Sequence, residues 1–504
     1  MRHAFGMRPV LVAMAAAAMV GCAHNNETVG VSDATQHPTP VNQRVARDAN
    51  IRSDDAQRLH LAWKVESPGN VTHMPLLWNG KVYFADWHGN VTCADAESGQ
   101  LVWRKQLGTP QSMWPTHGFV GTGAIGNGML FEASAEGDAY ALDLYSGDTV
   151  WHQKLTDDPN SGSTATVLFV NDRVYFGLSS VDQWTDRMRE GLSRDYKPAS
   201  RGGVVCLDAK TGNPIWRKFL VEKPDNGAPV RGGFAYDGQS NTLYFTTGNN
   251  YAGEPTELAA SIVAMNAGNG EVLWHFKPVR DRDAELRHER EGRERGETRS
   301  DFRGYDFVAA PNLFEAGGRR FVGAGSLDGR YYAIDRDNGQ LAWSRQIGDD
   351  GSAGGIRECA SFRDGRIYVW SNNNFDDTKS SDPASRPLTV ACLDAGTGRI
   401  VWQKPNSQPA GGWSDGMLAN DLYFVGSLDG TLQAYRASDG QVMWTGRVPD
   451  ASVASSINVA GNALFVGAGL PKTFDGISDS RGVYCFSTGH RNAEAASAQM
   501  RGSE

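Results

Sequence analysis

One spacing recurs seven times along this chain: a small residue, a polar residue two positions later, a glycine four after that, and a tryptophan four further on. The small residue and the tryptophan of the successive copies are Cys93 and Trp103, Ala141 and Trp151, Cys206 and Trp216, Ala264 and Trp274, Ala333 and Trp343, Cys392 and Trp402, and Ala434 and Trp444. The polar residue is Asp or Asn in six copies and Arg436 in the seventh. A four-point template repeated in this way indicates a repeat architecture.

Each residue type in the template has a physical role. The aspartate bonds its own backbone and the glycine accepts positive φ, so together they predict a tight turn. The tryptophan then lies on the next strand, where its large ring can be buried against the neighbouring unit. A further strand precedes each copy, as in Val82-Tyr83-Phe84 and Leu422-Tyr423-Phe424. The repeat unit is therefore an antiparallel blade of about four strands.

The two ends of the chain supply an eighth unit. Val483–Ser487 repeats the small-residue strand without a following tryptophan, and Leu61-Ala62-Trp63 has the tryptophan strand with nothing before it. Joining them predicts an all-β, eight-bladed β-propeller over residues 56–488, closed by N- and C-terminal strands in one blade. Such a ring has no open sheet edge to aggregate through. One ring of this kind accounts for most of the 504 residues, with 59 glycines and 14 tryptophans.

Four cysteines occupy the small-residue position of the template, namely Cys93, Cys206, Cys392 and Cys485. They fall in different blades at equivalent points, so we expect them to be buried, free and interchangeable with alanine. Cys359 lies outside the template. No Cys-x-x-Cys-His sequence is present, so we expect no covalent c-type haem.

The N-terminus has the pattern of an export signal. Arg2 and Arg8 precede an apolar stretch over residues 10–20, which is too short for a membrane span. The following Gly21-Cys22 resembles a bacterial lipoprotein cleavage site, which implies a signal peptide at 1–21 and lipid on Cys22. Residues 22–55 then form a polar tether, and 489–504 a disordered tail. Because Ala23 replaces the aspartate associated with inner-membrane retention, we expect an anchor in the outer membrane, facing the periplasm.

The charge balance excludes some classes of partner. The net charge of −9 gives no support to nucleic-acid binding. The densest charge run, residues 280–299, mixes both signs and is typical of a solvated loop. No segment beyond the signal could span a bilayer, so we expect membrane association by the lipid anchor only.

The repeat resembles the tryptophan-docking motif of pyrroloquinoline quinone (PQQ) dependent, or quinoprotein, alcohol dehydrogenases. The resemblance covers Leu61 to Ser487 and is closest to the polyvinyl-alcohol-dehydrogenase-like group. The same repeat is also similar to the propeller lipoprotein of the outer-membrane β-barrel assembly machinery, which is not an enzyme. The motif therefore identifies the fold more specifically than the function.

Three segments carry the resemblance to the dehydrogenases, one of which is Gly304–Leu313, which opens blade five much as in that group. Thr247-Gly248-Asn249 is similar to a blade-four segment of that family, which implies a calcium ligand at Asn249 and cofactor binding by Asn249, Thr247 and Arg231. The sequence from Arg280 falls where the family carries its catalytic aspartate, which implies that role for Asp283, with Asp281 next. The alternatives stay open: Gly-Asn-Asn can be a simple turn, and Asp281 and Asp283 can belong to a solvated loop.

Two departures from the dehydrogenase pattern favour a different function. The family places a Lys or Arg that contacts the quinone at the position of Leu327, and leucine has no hydrogen-bond donor there. The aromatic expected beneath the cofactor, near Phe234, is not cleanly matched. Electrons would also need a separate acceptor, because the chain carries no haem motif.

Two functions therefore remain. The first is a PQQ- and calcium-dependent dehydrogenase acting on small or polymeric alcohols, including secondary ones, with a separate electron acceptor. The second is a non-enzymatic outer-membrane lipoprotein scaffold that binds envelope proteins, as in outer-membrane protein assembly. The scaffold needs neither cofactor nor acid–base residue, and loops on a rigid frame serve recognition equally well.

Overall fold

The computed structural model describes residues 40–107, 118–158, 161–180, 200–222, 227–250, 256–278, 305–349, 354–373, 388–405, 411–470 and 480–489. These residues form one short 3-10 helix, η1 (Ala56–Arg58), and the following strands. They are β1 (Val45–Ala46), β2 (His60–Glu66), β3 (Leu76–Trp78), β4 (Lys81–Ala85), β5 (Asn90–Asp95), β6 (Leu101–Gln106), β7 (Ala124–Gly126), β8 (Met129–Ala133), β9 (Asp138–Asp143), β10 (Thr149–Lys154), β11 (Ser161–Gly162), β12 (Leu168–Val170), β13 (Arg173–Ser180), β14 (Gly203–Asp208), β15 (Pro214–Phe219), β16 (Phe234–Asp237), β17 (Thr242–Thr246), β18 (Ile262–Asn266), β19 (Val272–Phe276), β20 (Asn312–Ala316), β21 (Arg319–Gly325), β22 (Arg330–Asp335), β23 (Leu341–Gln346), β24 (Ser361–Arg363), β25 (Arg366–Asn372), β26 (Leu388–Asp394), β27 (Ile400–Pro405), β28 (Met417–Ala419), β29 (Leu422–Gly426), β30 (Thr431–Arg436), β31 (Val442–Arg447), β32 (Asn458–Ala460), β33 (Ala463–Ala468) and β34 (Gly482–Ser487).

The strands assemble into eight sheets, which confirms the predicted all-β, eight-bladed propeller. Blades 1 to 7 are β3–β6, β7–β10, β11–β15, β16–β19, β20–β23, β24–β27 and β28–β31, and blade 8 is β32–β34 with β2. Within a blade successive strands pair antiparallel, except that in blade 3 both β11 and β12 pair with β13. The first strand of one blade contacts the first strand of its neighbour, as β20 does with β24, so the first strands surround the axis.

Blade 8 closes the ring in the predicted manner. β2 pairs antiparallel with β34, with Trp63 opposite Cys485 and Lys64 opposite Tyr484. β34 pairs in turn with β33. The strand from the start of the chain is therefore the outer strand of the last blade, and opening the ring would break this ladder.

A tryptophan on the outer strand of each blade joins it to the next blade. Its indole N–H donates to a backbone carbonyl of that neighbour at 2.8–3.3 Å. The donors and acceptors are Trp63 and Glu97, Trp103 and Leu144, Trp151 and Ala209, Trp216 and Ala267, Trp274 and Arg336, Trp343 and Ala395, Trp402 and Ala437, and Trp444 and Leu59. All eight joints are therefore built from the same interaction.

At seven of these joints the template glycine is required for two reasons: its φ is positive, and the neighbouring indole leaves no room for a Cβ. In blade 1, Gly99 has φ of +71°, and a Cβ added there would lie 2.9 Å from the Trp63 ring of blade 8. The same close approach recurs between Gly212 and Trp151. The aspartate completes the turn, because Asp95 Oδ1 accepts the N–H of Ser98 at 2.9 Å. The spacing from aspartate through glycine to tryptophan thus encodes a turn in which the glycine, having no side chain, lets the indole of the neighbouring blade pack against its backbone.

Alanine substitutions in blade 1 can separate backbone strain from collision with the docked ring. Gly80 has φ of +67° and nothing within 4 Å of an added Cβ, so Gly80→Ala should cost only the left-handed strain of about 1–2 kcal/mol. Gly99→Ala carries the same strain and also displaces Trp63, which should add roughly 1–3 kcal/mol to the loss of stability. Urea unfolding of both variants measures the difference, and equal losses would contradict docking on this glycine.

The template cysteines are buried and form no disulfide, as predicted. Cys93, Cys206, Cys392 and Cys485 are each at most 1% exposed and free, and Cys359 is likewise buried and free. Burial raises the pKa of the Cys93, Cys206 and Cys392 thiols to about 12. Because the thiolate is the reactive form, these side chains act as small apolar residues.

These thiols should be unreactive until the protein unfolds. A thiol reagent at pH 8 should leave the five described cysteines unmodified in the native protein and label all five in denaturant, as counted by mass spectrometry. Cys206→Ala should lower the free energy of unfolding by only about 1 kcal/mol, because it removes one small buried group. Labelling of native Cys206, or a disulfide between any two of them, would contradict this interpretation.

Residues 40–46 line the inside of the ring. Backbone carbonyls of this segment accept N–H groups from the inner strands of blades 4 to 7 at 2.6–3.1 Å. The acceptor and donor residues are Pro40 and Tyr236, Val41 and Leu313, Gln43 and Phe362, and Arg44 and Leu418. β1 then pairs parallel with β28, and Ala49 bridges to Gly461 of blade 8.

The structured part of the chain thus begins earlier than the boundary expected at residue 56. The sequence assigns residues 22–55 to a tether, but residues 40–55 pack on the inner strands and on blades 7 and 8. The apolar residues of this segment show no regular spacing, because the segment is held by backbone hydrogen bonds and not by a row of apolar side chains. Residues 1–39, with the predicted signal peptide and Cys22, and residues 490–504 of the predicted tail lie outside the described residues.

The ring has two different faces. The turns between first and second strands and between third and fourth strands, such as Asn79-Gly80 and Glu97–Gly99, lie on one face, which we call the turn face. All other connections begin and end on the opposite face, which we call the loop face, because strand direction alternates within a blade. Among the described residues, no helix is long and apolar enough to cross a membrane.

Candidate functional site

The predicted site residues that the structure describes lie on the loop face, in blades 3 to 5. Asn249 follows β17 on the way to β18, Arg231 precedes β16, and Leu327 lies between β21 and β22. These connections meet near the axis, at the mouth of the central channel. Loops held at the end of a rigid ring are suited to present polar groups to a ligand.

Asn249 is held in place by hydrogen bonds at both its backbone and its side chain. Its N–H donates to Asp306 Oδ1 at 2.6 Å, and its side-chain Oδ1 accepts the N–H of Asn250 at 2.9 Å. The residue is 9% exposed. The Gly-Asn-Asn sequence thus places the backbone of Asn249 against a carboxylate.

Thr247 is placed differently from the expected cofactor contact. It is fully buried, and its hydroxyl donates to the Leu258 carbonyl at 2.5 Å and accepts the N–H of Ser261 at 3.0 Å. Its backbone N–H bonds the Ser261 carbonyl. These bonds tie the two ends of the connection together. The contribution of Thr247 to the site is therefore to hold Asn249 in place.

Asp306 links the segments that the sequence singled out separately. Its carboxylate accepts from Asn249, and its backbone carbonyl accepts the N–H of Leu327 at 3.0 Å. Leu327 is 8% exposed and packed into this turn. Asn249 of blade 4 and Leu327 of blade 5, where the dehydrogenases carry a cation, thus share one neighbour. The resemblance of residues 304–313 to the dehydrogenases includes Asp306 but implies no site role for it.

Arg231 lies beside the same chain segment. The following Gly232 packs so closely on blade 5 that an added Cβ would come within 3.0 Å of the backbone of Val308–Ala310. Arg231 is half-buried. Asp281 and Asp283 lie outside the described residues, in the connection that leaves blade 4 after Pro278 and returns at Tyr305. The structure therefore brings Asn249, Arg231 and Leu327 to one region and gives no position for the two aspartates.

The opposite side of the mouth is apolar. It is built from connections of blades 1, 2, 6, 7 and 8 on the loop face. The residues of this apolar half are Trp87, Leu428, Ala454 and Leu470, with Val120 and Trp413 at its edge. The Trp87 indole donates to Thr72 Oγ1 at 2.8 Å, which fixes its ring. The mouth thus has a polar half on blades 3 to 5 and an apolar half facing it.

Buried charges lie between the two halves. Arg44, from the segment inside the ring, places Nη2 2.7 Å from Asp415 Oδ2 and Nη1 3.1 Å from Met74 Sδ, so its side chain reaches from blade 7 to blade 1. Asp415 also accepts from the N–H of Cys359 and the hydroxyl of Ser456. Burial, and then the neighbouring Asp415 carboxylate, raise the pKa of Glu358 well above its usual range.

A sequence signal for these charges exists. Gly354-Gly355-Ile356-Arg357-Glu358 and Gly411-Gly412-Trp413-Ser414-Asp415 share a Gly-Gly-x-x-acid pattern, and each ends just before the first strand of its blade. Equivalent points in adjacent blades lie near each other at the axis. This pattern in the connections indicates Glu358 and Asp415, but not their partner Arg44. No group of three or more His, Cys, Asp or Glu suited to a metal occurs within the described ranges.

A protein family matches this chain over residues 47–250, 200–375 and 388–491, and its description is "Outer membrane protein assembly factor BamB". The chain belongs to this PQQ-repeat propeller family. Membership establishes the repeat and the ring, and the predicted resemblance is confirmed. It leaves the choice between enzyme and scaffold to the site.

Named relatives include dehydrogenases. The chain is 23% identical to polyvinylalcohol dehydrogenase of Sphingopyxis sp. (strain 113P3), over 92% of this chain and 73% of that protein. It is 22% identical to the quinoprotein alcohol dehydrogenase PedH of Pseudomonas putida, over 88% and 87%.

Solved structures show the same fold. The quinohemoprotein alcohol dehydrogenase of Comamonas testosteroni superposes with a TM-score of 0.68 at 19% identity, covering 90% of this chain and 79% of that chain. BamB of Moraxella catarrhalis superposes with a TM-score of 0.56 at 14% identity, covering 85% and 99%. At these identities the likeness concerns the fold alone.

Proposed function

We propose that the chain is a quinoprotein-dehydrogenase-like oxidoreductase with its site at the mouth of the loop face. The observation that carries the proposal is the hydrogen-bonded link from Asn249 through Asp306 to Leu327, which places oxygen donors of blade 4 and blade 5 opposite the apolar half. The dehydrogenase relatives, which match over most of this chain, support the same choice.

The residues at the mouth suit a hard cation such as calcium. Carboxylate and amide oxygens are its preferred ligands, and the hydrogen bond from the Asn249 backbone N–H to Asp306 Oδ1 brings a residue of each type together. Asp281 and Asp283 lie outside the described residues, and their place in the sequence between blades 4 and 5 makes them our candidates for further ligands or for the base. When bound, PQQ supplies the two-electron acceptor and the cation polarises it.

The chain's own residues have distinct tasks in this proposal. Asn249 and Asp306 would hold the cation, and Arg231 would pair with the carboxylates of the cofactor. Asp283, or Asp281 in its place, would take the proton of the alcohol hydroxyl, and bound PQQ would supply the acceptor for the hydride that leaves the carbon. The apolar half takes the hydrocarbon part of a secondary or polymeric alcohol and excludes water. The electrons then pass to a separate acceptor.

Reconstitution tests the proposal directly. The mature protein incubated with PQQ and calcium should oxidise primary, secondary or polymeric alcohols in a dye-linked assay. Asp283→Asn should lower kcat by about 10²–10⁴-fold, as for loss of a general base. Asp306→Asn should instead raise the calcium concentration needed for half-maximal activity. Glu315→Gln, an exposed acid in blade 5, provides the matched control and should behave as the parent.

The scaffold is the competing function, and Leu327 together with the BamB-described family favours it. If the protein shows no PQQ binding at micromolar concentrations, and Asn249, Asp283 and Asp306 are replaceable without effect, the enzyme proposal fails. Co-purification of the lipidated protein with outer-membrane assembly components would then support the scaffold.

We further propose that Cys22 carries lipid and anchors the chain to the outer membrane, with the ring in the periplasm. Cys22→Ala should leave the protein exported but recovered in the soluble periplasmic fraction, because a peripheral ring keeps no other anchor. Fractionation followed by mass spectrometry of the N-terminal peptide measures this, with Cys206→Ala as the control. Unchanged membrane association of Cys22→Ala would contradict lipidation.

A further inference from the structure

We infer that Arg357 supplies the cationic contact to the cofactor that the dehydrogenases take from the position of Leu327. The inference rests on the proposed function, since it concerns the same cofactor. It addresses the strongest departure of this sequence from the dehydrogenase pattern. An arginine is well suited to the task because its planar fork of donors matches carboxylate and carbonyl oxygens.

The connection from blade 5 to blade 6 carries Arg357 directly over the turn that holds Leu327. The N–H of Ile356 donates to the Ser326 carbonyl at 2.9 Å. Gly355 has φ of +80°, and a Cβ added there would come within 3.0 Å of the Leu327 backbone. Two backbones that touch at residues 355 and 356 bring the next residue, Arg357, beside the position that lacks a cation.

The side chain of Arg357 points toward the apolar half. Its guanidinium carbon lies 6.0 Å from the centroid of the Trp413 ring, and both residues are half-buried. Trp413 stands at the edge of the apolar half, and Leu428 of that half donates its N–H to the nearby Gly411 carbonyl at 2.8 Å. An arginine beside an indole face offers a planar anionic aromatic both charge and an apolar contact.

The buried charges next to Arg357 add little to its own. Arg44 and Asp415 form an ion pair at 2.7 Å and cancel. Burial, and then the Asp415 carboxylate, raise the pKa of Glu358 above its usual range. The Arg44–Asp415 pair contributes no net charge, so the guanidinium of Arg357 adds positive charge to this corner, which suits the carboxylates that PQQ carries.

Direct binding measurements test the inference without relying on turnover. The dissociation constant of PQQ is measured by equilibrium dialysis against the calcium-loaded mature protein. Arg357→Gln should raise it about 10- to 100-fold, the loss expected for a charge-assisted hydrogen bond. Arg399→Gln removes the same charge from an exposed turn of blade 6 on the turn face and should leave the constant unchanged.

Two further variants distinguish a contact from a structural role. Arg357→Lys should retain most of the affinity, and adding Leu327→Arg to Arg357→Gln should restore it, because the charge returns to the adjacent position. Normal binding by Arg357→Gln in a protein that binds PQQ would overturn the inference and leave the proposed function intact. Failure of the double variant to recover, with unchanged thermal stability, would also overturn it. Absence of PQQ binding by the parent protein would instead remove the proposed function itself.

Discussion

The docking of one indole onto the next blade is the interaction on which the rest of this structure depends. Each joint combines a buried or half-buried ring with a single N–H to carbonyl bond, and that bond contributes about 0.5–1.5 kcal/mol net. The joint at Trp444 has the same indole-to-carbonyl bond even though its acceptor lies in a different kind of turn. No Asp-Gly turn precedes β2, because the chain ends are joined in that blade, yet η1 presents the Leu59 carbonyl at 3.1 Å and Phe486 packs on the ring.

Equal joints around the ring fix the positions of the inner strands. The N-terminal segment binds to these regularly placed strands. Its carbonyls meet N–H groups of four successive blades, which requires those strands to be evenly placed. The segment in turn carries Arg44 to the axis, 4% exposed and paired with Asp415. A part of the chain next to the expected anchor therefore builds the base of the mouth, and the ring and the site form a single unit.

The fold was predictable because its determinants are local and repeated. A spacing of a few residues is enough to predict the roles of Trp63, Gly99 and Cys485. The closing blade therefore follows from the amino-acid sequence alone. The site depends on contacts between blades, and the spacing of residues along the sequence does not predict such contacts. Asp306 meets Asn249 across 57 positions of sequence, and Arg44 meets Asp415 across most of the chain. Thr247 had the expected residue type, but its hydroxyl is consumed within its own connection.

The energetics of the mouth bear on the choice between enzyme and scaffold. An ion pair at the axis, with a carboxyl group of raised pKa beside it, costs desolvation energy that packed apolar residues would avoid. A scaffold that binds proteins through its rim has no need of such groups at its centre. A site for an anionic planar cofactor does, because charges held in a low-dielectric mouth interact strongly with the ligand. In the proposed function, Arg357 of the adjacent blade connection takes the place of the cationic contact that Leu327 cannot make, beside the ion pair at the base of the mouth.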